Sequence, residues 1–322
     1  MRSTLRWTSV LAILVILAGC GTAPGEPSSE EPDASAVPVA TTSVTGTDGV
    51  VVEAPDASRL VTLGGPVTET VYALGLGDNV VGADISSSFP EDVQEKPRMG
   101  YFRQSSPEGI LSLEPTLVIA LDGLGPPTVA EQVRAAGVPV LLVEEAATLD
   151  GAQERVRTLG QALGRPDEAA AVLDTMAAGL ERAEAARPAT PPKALFIYAR
   201  GAGLVSVSGT GTAAEVVMQL AGAENAVTAF EGFQALTAES AVEAAPDVLV
   251  IPARGLESIG GVDGLLAQPG LAQTPAGQNR RVVAVDDALL LGLGPRVGEG
   301  VLELAQALTA ATADAPAETI DV

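Results

Sequence analysis

Residues 100–120 read Gly-Tyr-Phe-Arg-Gln-Ser-Ser-Pro-Glu-Gly-Ile-Leu-Ser-Leu-Glu-Pro-Thr-Leu-Val-Ile-Ala, and the chain is organised around them. Gly100 to Arg103 is a turn carrying two aromatics and a cation. Ser106-Pro107-Glu108 is a helix start, with Ser as N-cap, Pro at the first helical position and an acid in the first turn. Pro115 requires that helix to end, and Thr116 to Leu121 follows as a buried strand. The same grammar returns 131 residues later. Thr237-Ala238-Glu239 opens a short helix, Pro246 ends it, and Val248 to Ile251 is an apolar strand. Each copy holds its Glu seven residues before the Pro, and Gly232-Phe233 echoes Gly100-Tyr101. Two lobes of similar build follow, each presenting one Glu and one aromatic turn.

Working outward, strands at Leu60–Leu63, Thr116–Leu121 and Val138–Val143 alternate with helical spacing at Val67–Leu74 and Thr128–Ala136. That alternation predicts a parallel, helix-covered sheet. We assign 56–149 to an N-terminal lobe. Residues 150–190 carry the longest helical pattern, with Leu159, Leu163, Leu173, Met176 and Leu180 as an apolar stripe, and are expected to form a connecting helix. Gly164-Arg165-Pro166 either kinks it or starts a second helix. Residues 191–310 form the C-terminal lobe, where Gly222-Ala223-Glu224-Asn225-Ala226 resembles Gly75-Leu76-Gly77-Asp78-Asn79 of the first. Residues 311–322 are expected to be a disordered tail. The predicted fold is α/β: two Rossmann-like lobes with mostly parallel sheets, joined by a single long helix.

The beginning of the chain is a targeting segment. Arg2 and Arg6 precede an apolar run from Val10 to Leu17 that is too short to span a bilayer. Leu17-Ala18-Gly19-Cys20 resembles a bacterial lipobox, so residues 1–20 are expected to be a lipoprotein signal peptide, with Cys20 lipidated after cleavage. Residues 21–55, rich in Pro, Ser, Thr, Gly and Ala, cannot bury a core and are expected to be a flexible tether. The protein is therefore expected on the extracytoplasmic face of a cell membrane, held by a lipid anchor.

Composition excludes several functions. A net charge of −23 argues against nucleic acid, whose binders need a basic face. The absence of histidine removes the commonest general base and the commonest zinc ligand. One cysteine leaves no intrachain disulfide and no thiolate cluster. The glycine-rich stretch 201–211 lacks the Gly-Lys-Ser/Thr ending of a phosphate loop. Lys96 and Lys193 sit in no Ser-x-x-Lys motif, and no enzymatic activity is expected.

The central stretch resembles a segment of haem-binding ABC-transporter lipoproteins, as do 255–277 (GLESIGGVDGLLAQPGLAQTPAG) and 289–297 (LLLGLGPRV). The resemblance covers roughly Ser58 to Leu308. The wider family is the class III substrate-binding proteins, whose two lobes are joined by a rigid helix. It implies an extracytoplasmic receptor that delivers haem, as transported ligand, to an ABC permease and its ATPase for iron acquisition. A ferric siderophore or a cobalamin-type corrinoid is the alternative cargo, and a surface sensor or scaffold without transport is the alternative function.

Read alone, Tyr101 is a packing tyrosine with a wet hydroxyl. The resemblance makes it the expected iron ligand, since phenolate is an anionic oxygen donor and tyrosine an axial haem ligand. The facing loop departs from relatives that carry a second tyrosine: Phe233 has no ligating atom and is expected only to stack on the porphyrin. Five-coordinate haem on Tyr101 is therefore what the resemblance implies, unless Met218, Tyr198 or water supplies the sixth position. Arg103, Arg200 and Arg254 are candidate partners for haem propionates or the ligand phenolate; read alone, each is a surface arginine. Glu108 and Glu239, each a helix-dipole carboxylate on its own, are implied as permease-docking residues, one per lobe.

Overall fold

A computed structural model describes residues 43–53, 55–201, 203–313 and 320–321. The predicted signal segment, Cys20 and the tether as far as residue 42 lie outside the described residues.

The end of the expected tether is built into the first lobe. Strands β1 (Ser43–Thr45) and β2 (Val51–Glu53) pair antiparallel, with Val44 and Val52 buried between exposed neighbours. That two-residue alternation gives the hairpin one core-facing side. The Asp48 carboxylate accepts from Val50 N at 3.2 Å and pairs with Arg134 at 2.7 Å. Thr47 N donates to the Leu142 carbonyl at 3.0 Å, which ties the turn to the edge of the first sheet.

The first lobe runs β3 (Leu60–Leu63), α1 (Gly65–Ala73), β4 (Val80–Ala83), α2 (Pro107–Leu111), β5 (Leu117–Leu121), α3 (Val129–Ala135) and β6 (Val140–Val143). Its sheet is wholly parallel, in the order β4-β3-β5-β6. Strands β3, β5 and β6 are buried along their whole length, as continuous apolar runs demand when both faces are covered.

The expected single helix over 150–190 is two. The first, α4 (Leu149–Ala162), belongs to the first lobe, and α5 (Pro166–Ala186) carries the chain into the second. Gly164 takes a left-handed φ of 65° and Pro166 occupies the start of α5, so no continuous ladder can pass between them.

The second lobe runs β7 (Lys193–Ala199), β8 (Val205–Ser208), α6 (Ala213–Leu220), β9 (Glu224–Asn225), β10 (Phe233–Ala235), α7 (Ala238–Ala244), β11 (Val248–Pro252), α8 (Ala253–Ser258), α9 (Gly261–Leu266), α10 (Pro275–Gln278), β12 (Val282–Val285), α11 (Asp287–Leu291), α12 (Val297–Thr312) and β13 (Ile320–Asp321). Its strands lie in the order β10-β8-β7-β11-β12-β13, with β9 also against β7. Strands β7, β11, β12 and β13 are parallel, while β8 and β10 add an antiparallel edge. The tail expected over 311–322 is part of the fold at both described ends. Helix α12 extends through Thr312, whose hydroxyl donates to the Leu308 carbonyl at 2.8 Å, and β13 pairs with β12.

The internal duplication extends to the backbone. Gly100 and Gly232, each before its aromatic, have φ of 75° and 78°. Glu114 and Ala245, each before its proline, have φ of 48° and 42°, a conformation unusual without glycine. Ser106 and Thr237 cap their helices alike, each hydroxyl accepting a backbone N–H three residues on, at 3.2 and 3.1 Å.

One apolar core joins the lobes. Leu60, Ile119, Leu159, Met176, Phe196, Val250 and Leu304 belong to a single buried cluster that passes from the first sheet through α4, α5 and α12 to the second. Helices α5 and α12 meet at two glycines: a Cβ on Gly298 would lie 2.7 Å from the Gly179 Cα. Such close backbone approach makes the connection stiff.

Candidate functional site

Between the lobes lies a cleft of about 780 Å³, within the range of small-molecule sites. Its walls come from the carboxyl ends of the parallel strands: Leu121 of β5, Tyr198 and Ala199 of β7, and the residues following β4, β6, β11 and β12. Ligands bind at those ends in α/β folds because the loops there diverge from the sheet.

Tyr101 stands half-buried on the first-lobe wall, its ring edge-on to Phe102 at 4.8 Å between centroids. On the opposite wall Tyr198 and Phe233 meet edge-on at 6.1 Å. Arg200 reaches across. Its guanidinium carbon lies 5.5 Å from the Tyr198 ring centre and 5.8 Å from that of Tyr101, and its Nε donates to the Tyr198 hydroxyl. Arg103 is ion-paired with Glu145 and also faces the Tyr101 hydroxyl. Burial opposes the charge on Arg103, but Glu145 and Tyr101 outweigh it and raise its pKa. Arg254 is exposed at the mouth, and its backbone N–H donates to Asp287 at 3.1 Å. Burial pushes the Asp287 carboxyl up, against the pull of Arg254 and Arg200.

Six of the seven residues that sequence placed around a ligand thus line one cleft: Tyr101, Arg103, Tyr198, Arg200, Phe233 and Arg254. Met218 does not. It is fully buried in the common core on α6, where Ala214, Val217 and Met218 form the inward stripe. Helical periodicity turned that side chain to the core, so its thioether is out of reach of the cleft.

Three features of the site escaped sequence reading. The first is Asp84, fully buried just past β4. Its carboxylate accepts from the backbone N–H of Gly64 at 3.0 Å, Ser86 at 3.1 Å and Phe102 at 3.3 Å, and from the hydroxyls of Ser86 and Ser87 at 2.6 and 2.8 Å. It therefore positions the loop that carries Tyr101. The second is Arg155, 2% exposed at the cleft floor, its pKa lowered to about 10 by burial. The third is the apolar rim. Among the described residues seven large hydrophobic side chains are exposed, and Ile85, Phe89, Leu204 and Phe233 of these line the cleft, two from each lobe. Exposed apolar groups concentrated on facing walls mark a binding surface. Ile85 and Phe89 stand in a Ser-rich loop, an apolar signal in a polar background that the sequence did offer.

Chemically, the cleft offers apolar and aromatic faces on both sides, a phenol hydroxyl from each lobe, and the exposed arginines Arg103, Arg200 and Arg254. That suits a flat, largely apolar ligand with anionic edges and a Lewis-acidic centre. Glu108 and Glu239 do not line it. They are exposed in the first turns of α2 and α7, each a few residues beyond a cleft-lining aromatic. A crossover between parallel strands starts its helix at the carboxyl end of the sheet, so both carboxylates stand at the cleft end of their lobes.

The model of the family described as "Periplasmic binding protein" matches residues 60–289. Solved periplasmic heme-binding proteins share the fold. One, the apo form of the periplasmic heme-binding protein RhuT from Roseiflexus sp. RS-1, is 44% identical, covers 80% of this chain and 99% of its own, and superposes with a TM-score of 0.75. The uncharacterized ABC transporter substrate-binding lipoprotein YvrC of Bacillus subtilis is 28% identical over 94% of this chain and 96% of its own. A vitamin B12-binding protein of Yersinia pestis is 27% identical over 52% of this chain and 60% of its own length.

Proposed function

This chain belongs to the periplasmic binding protein family, and on that premise we propose that it is an extracytoplasmic receptor that holds haem between its lobes and delivers it to the permease of an ABC importer. The observation that carries the reading is the cleft itself. A phenol from each wall, with the Arg200 guanidinium 5.8 and 5.5 Å from the two ring centres, lies inside an apolar rim built from both lobes. In this reading Tyr101 supplies the iron ligand, with Tyr198 across the cleft. Phe233 stacks on the macrocycle, and Arg103, Arg200 and Arg254 neutralise its propionates and the phenolate. The similarity to RhuT over nearly all of that protein's length supports the same cargo. No catalytic step is part of this role.

The test is a titration of the purified protein with haemin. A stoichiometric Soret band and a tyrosinate-to-iron charge-transfer absorption are expected. A protein that leaves haemin unbound and instead takes up a corrinoid or a ferric siderophore would overturn the assignment of cargo while leaving the receptor role in place.

We also propose that Cys20 carries a lipid anchor, supported by the Leu17-Ala18-Gly19-Cys20 sequence and by the naming of YvrC as a lipoprotein. Cys20→Ala is expected to move the protein from the membrane fraction to the soluble one. Full membrane retention of this variant, with no lipid label on the parent chain, would refute the anchor.

A further inference from the structure

Residues 292–296, Gly-Leu-Gly-Pro-Arg, touch the cleft through Gly292 and carry hydrogen bonds between the lobes to Glu69 and Arg155. They leave α11 of the second lobe and wedge against the first. Leu293 is fully buried with a left-handed φ of 44°. A Cβ on Gly292 would come within 2.6 Å of the Pro66 ring, and one on Gly294 within 3.1 Å of a Glu69 carboxylate oxygen. From one side, Arg296 Nε donates to Glu69 Oε1 at 2.6 Å while its guanidinium stacks on Phe89 at 3.5 Å. From the other side, Arg155 of α4 donates to the carbonyls of Gly292 and Leu293 at 3.2 and 2.7 Å, and to that of Glu144 at 3.1 Å. Pro66, Glu69, Phe89, Arg155 and Gly292 are also cleft-lining residues, so this junction is the floor of the cleft.

We propose that the 292–296 segment, clamped by Glu69 and Arg155, is the positioning element that fixes the spacing of the two cleft walls and so the thickness of the flat ligand they admit. The common core and the Gly179–Gly298 approach fix the lobes at the connecting helices, away from the cleft mouth. At the cleft floor itself the directional restraint comes from hydrogen bonds of planar guanidiniums to carbonyls and a carboxylate. The Glu69–Arg296 pair is poorly suited to a purely stabilising role. Glu69 is nearly buried, and burial pushes its carboxyl up despite Arg296, with Glu299 pushing the same way. Desolvation offsets much of the attraction in such a pair, so its presence is weak evidence for net stability, and its proposed role is the single geometry it enforces.

The test compares Glu69→Gln, Arg296→Met and the double variant, in the full chain carrying Cys20→Ser. Spin labels at Glu131 of the first lobe and Glu257 of the second, both exposed, report wall spacing without any ligand. Each single variant is expected to broaden the interlobe distance distribution, and the double variant to broaden it no further. Haemin dissociation, which rests on the haem reading, is expected to quicken roughly five- to tenfold in each single variant and equally in the double. Unchanged label distances would overturn the proposal. So would additive effects, or a silent Arg296→Met beside an active Glu69→Gln, which would make Glu69 a direct ligand contact. Arg296→Lys, which keeps the charge and loses the planar geometry, takes the place of Arg296→Met if that chain does not fold. Because the label distances need no ligand, a protein that refuses haemin would still answer for the spacing.

Discussion

Tyr101→Phe is expected to abolish the tyrosinate-to-iron charge-transfer absorption and to lower affinity for haemin by more than about a hundredfold, since loss of a mere supporting partner of a metal ligand already costs ~10–100-fold. The substitution removes one oxygen and little else. The ring edge-on to Phe102 is kept, as is the face presented to Arg200. The loop is held by Asp84 through the Phe102 backbone, so its position does not depend on the phenol. On the proposed reading the loss is that of the anionic donor to ferric iron, beside which Arg103 and Arg200 stand. Residual binding would come from the apolar walls and the propionate partners. Tyr198→Phe is the control. Its hydroxyl accepts from Arg200 Nε, so its loss frees that guanidinium and is expected to cost less. If instead the spectrum survives in Tyr101→Phe and disappears in Tyr198→Phe, the iron ligand belongs to the second lobe.

The parts of this molecule that were legible in the sequence are those set by local rules. A hydroxyl N-cap, a proline at the first turn and a terminating proline place α2 and α7, and the repeat of that grammar gives two lobes. The aromatic turns after Gly100 and Gly232 were legible because glycine marks the left-handed residue that aims each ring. What stayed hidden depends on partners distant in the chain. Asp84 is one acid among many until five donors from three loops converge on it, and Arg155 becomes a floor residue only when 292–293 fold against it. Met218 was misplaced because composition says what a helix face could touch, whereas periodicity says which face is turned inward. The hairpin at 43–53 was lost inside a polar segment although Val50, Val51 and Val52 interrupt it, and the end of α12 was lost inside an alanine-rich tail.

Replacing both Glu108 and Glu239 with Ala is expected to leave the Soret spectrum and haemin affinity unchanged while importer-dependent haem uptake falls about tenfold, each single variant lowering it about two- to fivefold. Neither carboxylate enters the cleft, and neither is needed for its helix: Ser106 and Thr237 cap α2 and α7 with their own hydroxyls, and both caps survive the substitutions. The Ser106 hydroxyl, and then backbone hydrogen bonding, hold the Glu108 carboxyl below the usual carboxylate range, so its charge persists in mildly acidic medium. Two exposed acids at equivalent positions of duplicated lobes, both at the cleft end, are what the docking proposal requires if the permease presents one basic group to each lobe. Contacts of this rim type act chiefly on encounter and orientation, so docking of the parent protein should weaken with added salt, and that salt dependence should shrink in the double variant. Since the lobes hold the two sites apart, the single effects should combine without coupling. Loss of haemin binding in the double variant would place these residues in the site after all. Unchanged uptake would reduce both carboxylates to partners of the helix dipole, which is all that either one's local surroundings require.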